Sequence, residues 1–301
     1  MEKSKAIIFG VSGQDGFYLS SLLEKKGIEV IGSSRTQGIK GDVGDLFFVK
    51  SLIKEHKPKY IFHLAADSTT SHSSLIQNYN SISIGTDNIL ESCRIYNPEC
   101  KIFLAGSAVQ FQNQGLPIDE KTPFCPSSPY SLARIHSTYA SRYYREIFGM
   151  KVYVGFLFNH DSPLRTERHI NQKIVKTIQK IKSGEKISLE VGSIEVKKEF
   201  NFAGDIVEAI WALVNQEKVF ECVIGCGESH SIREWIEICF KKIGMEWEEH
   251  TKLIDNFVPE YFNLVSNPEI IKGIGWSPKN NIHSLSDMML EFQLQDPKPL
   301  L

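Results

Sequence analysis

Short apolar runs, each ending in small or polar residues and each followed by a stretch of helical period, repeat along the first half of the chain. Lys5-Ala6-Ile7-Ile8-Phe9 reads as a buried parallel strand. Phe17 to Lys26 carries a helix pattern closed by Gly27. Glu29-Val30-Ile31-Gly32-Ser33-Ser34 is a second strand, and a helix follows Gly41-Asp42-Val43-Gly44-Asp45-Leu46 to about His56. Further strands are predicted over 59–66, 101–107 and 151–157, with helices over 80–93 and 130–148. This βαβα alternation predicts an α/β fold, a Rossmann-type doubly wound parallel sheet. Beyond Asn159 the pattern loosens into a helix over 170–182, a strand near 187–191, a helix over 202–215 and a tail of short elements. The expected division is a dinucleotide-binding domain over 1–158 plus about 200–218. A smaller α/β substrate lobe then takes 159–199 and 219–301.

Ligands on such sheets sit at the carboxyl ends of the strands, where Ser68, Ser107 and Asn159 fall. The turn after the first strand carries Gly10, Gly13 and Gly16, spaced GxxGxxG. Glycines let the backbone turn sharply and approach phosphates, and the helix N-terminus offers free N–H groups to an anion. The turn, with Gln14 and Asp15 inside it, is therefore the expected pyrophosphate site. The second strand ends in Arg35 with no acid beside it, which leans toward the 2′-phosphate of NADP over NAD. Arg35 stacked on adenine with NAD bound is the alternative.

Composition narrows the class. The chain has 301 residues, 42% of them hydrophobic, enough for one large domain or two fused lobes. A formal net charge of −2 gives no nucleic-acid surface. The apolar run before Gly10 is too short for a signal peptide, and no run is long enough to span a bilayer. The six cysteines form no CxxC pair and read as free thiols of a cytoplasmic protein. His136, His160 and His169 are too scattered for a metal site.

These residues together resemble the extended short-chain dehydrogenase/reductases that act on nucleotide sugars, and within them the GDP-mannose 4,6-dehydratase branch. The matching pieces are Gly10-Val11-Ser12-Gly13-Gln14-Asp15-Gly16, His63-Leu64-Ala65-Ala66, Ser128-Pro129-Tyr130, Leu157 through Pro163, Gly204 through Ala209, and Gly275-Trp276-Ser277-Pro278. The resemblance spans about residues 5 to 290. It implies a tightly bound NAD or NADP that exchanges a hydride with C4 of a hexose. Asp45, Leu46 and Ala65 would lie along that cofactor, Asp45 at the adenine amine or, equally, as a helix N-cap. It implies a nucleotide-sugar substrate, GDP-linked, and a homodimer or homotetramer joined through helices of the dinucleotide lobe. Tyr130 becomes the general acid/base, Ser107 its hydrogen-bonding partner, and the residue four after Tyr130 the cation that makes a phenol usable near neutral pH.

Two departures alter that expectation. The cation is Arg134 where the family has Lys; Arg keeps the charge but is planar and always protonated. It supports a phenolate or, on a blander reading, makes a surface ion pair beside a dead site. Dehydratases of the branch carry Glu two residues after the Ser; here that position is Val109, and nearby Gln110 and Gln112 do not titrate. Elimination across C5–C6 needs a base and an acid, so its loss is expected while C4 redox chemistry survives. On the nucleotide side Lys198, in Lys198-Glu199-Phe200, resembles a basic residue reaching the diphosphate. Val258-Pro259-Glu260 lacks the branch's Arg, which leaves Arg165 and Lys173 as candidates. The expected function is a 4-dehydrogenase or 4-keto reductase of a GDP-hexose or GDP-heptose in surface polysaccharide synthesis. A 4-epimerase and a catalytically silent dinucleotide-binding sensor are the alternatives.

Overall fold

A computed structural model describes residues 3–292. Residues 293–301, assigned to the smaller lobe in the sequence reading, lie outside the described residues. The apolar runs become seven strands of one parallel sheet: β1 (Lys5–Phe9), β2 (Glu29–Ser34), β3 (Ile39–Lys40), β4 (Tyr60–His63), β5 (Lys101–Ser107), β6 (Val152–Leu157) and the later Glu221–Ile224. Their order across the sheet is β3-β2-β1-β4-β5-β6 and then Glu221–Ile224. The direction of winding reverses between β1 and β4, which opens a crevice at their carboxyl ends.

Alternation along each strand loads both faces. Ile7, Phe9, Ile61, Ile102 and Leu104 pack with α2 (Leu46–His56) and with Ile89, Leu90 and Cys93 of a later helix. Ala6, Ile8, Phe62 and Phe103 pack on the other face, against α1 (Gln14–Lys25) and against Ile206, Ile210 and Leu213. Burial of this kind contributes about 25 cal/mol per Å² of apolar surface, so the two layers hold the strand ends in place.

Three elements differ from the sequence reading. The helix expected over 80–93 is compound: α3 (Leu75–Asn78), a π-helical turn over Tyr79–Ile84, then α4 (Gly85–Tyr96). The turn leads into close packing, since a Cβ on Gly85 would sit 2.9 Å from Val43 and 3.2 Å from His63 of β4. α5 (Pro129–Phe148) begins one residue early because Ser128 caps it and Pro129 suits the first turn. Glu221–Ile224 pairs with β6 in register from Glu221↔Val154, so this stretch belongs to the large sheet and not to the smaller lobe. Its Val223 and Ile224, both fully buried, complete the two cores.

The smaller lobe has its own core, made by α6 (Ile170–Lys182), α8 (Ile232–Lys242) and α10 (Ile282–Glu291), whereas α7 (Ala203–Val214) and, through Ile271, α9 (Glu269–Gly273) pack on the large sheet. Ile174, Ile178, Trp235, Phe240 and Leu285 are its buried centre. Short pairs such as His160–Asp161 with Asn201–Phe202 tie it to the sheet. Among the described residues no helix is long and apolar enough to cross a membrane.

Candidate active site

Two connected hollows open at the crevice. The first, about 330 Å³, lies over the tips of β1 and β2 and is lined by Gly10, Ser12, Gly13, Ser33, Arg35, Asp42, Ala65 and Asn80 among others. The second, about 430 Å³, runs from the glycine turn past Ser68, Ser107, Val109 and Tyr130 to Asn159, Arg165 and His169.

The glycine turn fits a pyrophosphate. Gly10 adopts φ +94, and a Cβ there would meet Ala65 N at 2.6 Å; one on Gly16 would meet Val11 Cα at 2.6 Å. Only glycine allows this closeness. Gly13 caps α1 without any side-chain bond, and the first helical bond is Phe17 N–H to Gly13 O at 3.0 Å. Gln14, Asp15 and Gly16, whose amides precede that bond, line the second hollow, as an anion site requires. Arg35 lines the first hollow as the sequence reading expects, with Ser33 and Ser34 beside it. Asp45 does not: its carboxylate accepts from Phe47 and Phe48 N–H at 2.8 and 3.3 Å, capping α2. Leu46, 44% exposed, also lies off the hollow, whose wall is instead Asp42 and Val43.

At the other side of the sheet's tip, Tyr130 sits in the first turn of α5 and Ser107 ends β5. Ser107 is fixed by a capping box: its N–H donates to Gln110 Oε1 at 2.9 Å and its hydroxyl accepts from the Gln110 backbone. Gln110 Nε2 reaches Thr138 Oγ1 at 3.1 Å, so this glutamine braces the site from behind. Arg134 is no surface residue. It is 4% exposed, donates through Nη1 to Ala105 O, and lies over the Tyr130 ring with its guanidinium carbon 5.1 Å from the centroid. Among the described residues no carboxylate pairs with it, and its Nε is buried without a hydrogen-bond partner. Buried His63 lies beside it; burial, and then the Arg134 charge, push that imidazole down to about 3, so it stays neutral.

The outer end of the second hollow is cationic. Arg165 Nε stands 3.6 Å from Asp161 Oδ1, while Asp161 Oδ2 accepts from Asn171 at 2.6 Å. Arg168 pairs loosely with Asp67 at 3.5 Å. His169 lines the same wall; burial, then the Arg165 charge, lower it to about 4. Asn159 turns a buried, unpartnered Oδ1 into the region. Lys198 is 6% exposed and stands behind this wall, above the Phe200 ring; burial pushes its ammonium down to about 8. It is no solvated surface lysine. Lys173 is not brought to the hollow, since its Nζ donates to Glu190 O at 2.7 Å.

Sequence reasoning missed Arg168, His169, Glu260 and Tyr261, all of which line the hollow. The first two follow Arg165 closely enough to have been found. The last two come from a remote loop, with Glu260 accepting from the Thr70 hydroxyl. Among the described residues no cluster of His, Cys, Asp or Glu could hold a metal ion.

Comparison with known proteins follows the same lines. The family model described as GDP-mannose 4,6 dehydratase matches residues 7–289. GDP-mannose 4,6 dehydratase 1 of Arabidopsis thaliana is 31% identical over 323 residues, covering 96% of this chain and 90% of that protein. Among solved structures, the dTDP-glucose 4,6-dehydratase of Bacillus anthracis in complex with NAD superposes with a TM-score of 0.86 at 18% identity, covering 99% of this chain and all of that one. The RMD protein of Pseudomonas aeruginosa, complexed with NADPH, gives 0.83 at 19% identity, covering 96% and 97%. At such identities these two establish the fold alone.

Proposed function

The chain belongs to the GDP-mannose 4,6-dehydratase family, and from that premise we propose that it carries out redox chemistry at C4 of a GDP-linked hexose or heptose without 4,6-dehydration. The glycine turn over Gly10, Gly13 and Gly16 would hold the pyrophosphate of a nicotinamide cofactor, NAD or NADP, which would supply or accept the hydride. Tyr130 moves the proton of the C4 oxygen, and Ser107, locked by Gln110, hydrogen-bonds the same oxygen. Arg134 lends a positive charge to the Tyr130 ring from a site that excludes water. Arg165 and Arg168 would take the diphosphate, a role for which forked guanidiniums suit. Arg35 beside Ser33 and Ser34 favours NADP. The apolar stripe Leu132, Tyr139, Tyr143 and Ile147 on the outer face of α5, each more than half exposed, suits a homodimer contact.

The observation that carries the reading is the acid inventory of the cleft. Its lining carboxylates are Asp15, held by His160, and Glu260, held by Thr70, and the wall beside Ser107 is Val109. Neither acid is free beside Tyr130 to act at C5 or C6. The relative compared above is named a dehydratase, so the product decides the matter. Incubation with GDP-mannose and oxidised cofactor, followed by mass spectrometry, should give loss of two hydrogens or no reaction. Loss of one water overturns the proposal.

A further inference from the structure

With Asp15 ionised, the hydrogen bonds of His160 fit only an imidazolium. Its Nδ1 lies 2.7 Å from Phe158 O, and its Nε2 lies 3.0 Å from both Oδ1 and Oδ2 of Asp15. A carbonyl and a carboxylate both only accept, so both ring nitrogens must donate and the ring carries a charge. Asp15 is the second residue of α1, inside the amide cradle of the glycine turn, and both residues line the hollow. The cradle thus contains a permanent anion at the place where a second, doubly charged anion must sit.

Resting on the cofactor reading above, we propose that protonated His160 is a positioning and charge-balancing residue for the dinucleotide. By neutralising Asp15 it lets the first amides of α1 take up the pyrophosphate, so cofactor affinity falls when His160 loses its proton. The loop bearing His160 is pinned to the same turn by neutral bonds: Gln14 Nε2 donates to His160 O at 3.2 Å, and Ser162 Oγ donates to Gln14 Oε1 at 2.8 Å. Hence the turn and the loop stay together when the charge is lost, and the change is electrostatic.

The groups around the pair act in known directions. Burial disfavours charge on His160, but the Asp15 charge and its hydrogen bond outweigh it and raise the imidazole above its ordinary value. Burial likewise opposes charge on Asp15, and His160 wins again, holding the carboxyl below its ordinary value. Arg165, from the loop after His160, works against the proton on His160 and for the charge on Asp15. Tyr18 on α1 engages Ser162 and stays neutral. Asp161 is occupied by Asn171 and Arg165 on the far side. The sign follows: charge balance holds below the raised value of His160 and is lost as pH rises through it.

The test is the dissociation constant of NADH and of NADPH, read by nucleotide fluorescence between about pH 6 and 9, where an imidazole titrates. Using both dinucleotides separates His160 from the titrating 2′-phosphate. Wild type should bind about tenfold more weakly at the alkaline end, with NADH as with NADPH, as expected for one nearby charge in a partly screened site. His160→Gln should bind about tenfold more weakly at the acid end, with no pH slope. Asp15→Asn should stay tight and nearly flat, and adding Asp15→Asn to His160→Gln should recover most of the lost affinity. A merely structural role predicts a double variant weaker than either single one. That result, or a flat wild-type profile for both dinucleotides, overturns the inference. Failure of wild type to bind either dinucleotide at any pH overturns the cofactor reading itself.

Discussion

At the inner end of the cleft Arg134 lies over Tyr130 and is anchored on a backbone carbonyl; at the outer end Arg165 stands 3.6 Å from Asp161. Both arginines have a buried Nε without a hydrogen bond. The first is set by strand and helix, since Ala105 belongs to β5 and both Tyr130 and Arg134 to α5. The second hangs on a loop in which cations crowd one another: Arg165, Arg168 and, behind them, Lys198, with His169 held neutral among them. On the proposed function, the inner end would be preorganised for a proton transfer that tolerates little displacement. The outer end stores unfavourable charge that an anionic ligand relieves. Substitutions at the two ends should therefore fail differently, in turnover at the one and in affinity and stability at the other.

The sharpest division is expected from Tyr130→Phe. The ring, and the Arg134 guanidinium over it, keep their place, while the hydroxyl proposed to move the proton is gone. Turnover should fall by about 10³-fold or more, a typical loss for a general acid/base. Cofactor binding, read by nucleotide fluorescence, should not change. Normal turnover in this variant would break the assignment of the inner end.

Lys198→Met probes the outer end and should show the opposite signature. Burial holds the Lys198 ammonium down at about 8, so the folded chain gives up this proton at lower pH than the unfolded chain, whose value is near 10.5. Stability therefore rises as pH climbs from about 8 toward 10.5, and at neutral pH the charged lysine works against folding. Methionine fills similar space over Phe200 without that cost. Urea unfolding at pH 7 should show the variant more stable by about 2 kcal/mol, with the gain shrinking at alkaline pH. Affinity for a GDP-sugar should drop in the same variant. A variant that is less stable at pH 7 would mean that the lysine's attraction to Asp161 exceeds its desolvation.

The same contrast explains what was legible in the sequence. The inner end is written in short segments: Gly10-Val11-Ser12-Gly13-Gln14-Asp15-Gly16, and Ser128-Pro129-Tyr130 with Arg134 one turn on. Strand and helix period alone bring these pieces to one edge of the sheet. Arg134 was readable as a cation, but not its burial, because that depends on Ala105, 29 positions earlier. The outer end depends on distant pairings that no local pattern encodes. Lys173 and Lys198 look alike as sequence, yet one is tied to Glu190 O outside the cleft and the other is buried against Phe200. Glu260 meets Thr70 across 190 positions. The edge strand Glu221–Ile224 was lost for a related reason: four residues after a helix give little periodicity, and only pairing with β6 identifies them.

The smallest effect expected separates two roles that the sequence left equal. Asp45 could contact a bound adenine or cap α2, and its carboxylate accepts the Phe47 and Phe48 amides while lying outside the residues that line the first hollow. A side chain that already satisfies two amides at a helix start has little left to give a ligand. Asp45→Ala should therefore lower unfolding stability by about 1 kcal/mol, the usual worth of such a cap. Cofactor affinity should stay within twofold of wild type, a margin of roughly 0.4 kcal/mol. The measurement pairs a urea unfolding curve with the fluorescence titration. Weakened dinucleotide binding with unchanged unfolding would move Asp45 from the helix to the cofactor, and would extend the first hollow beyond Asp42 and Val43.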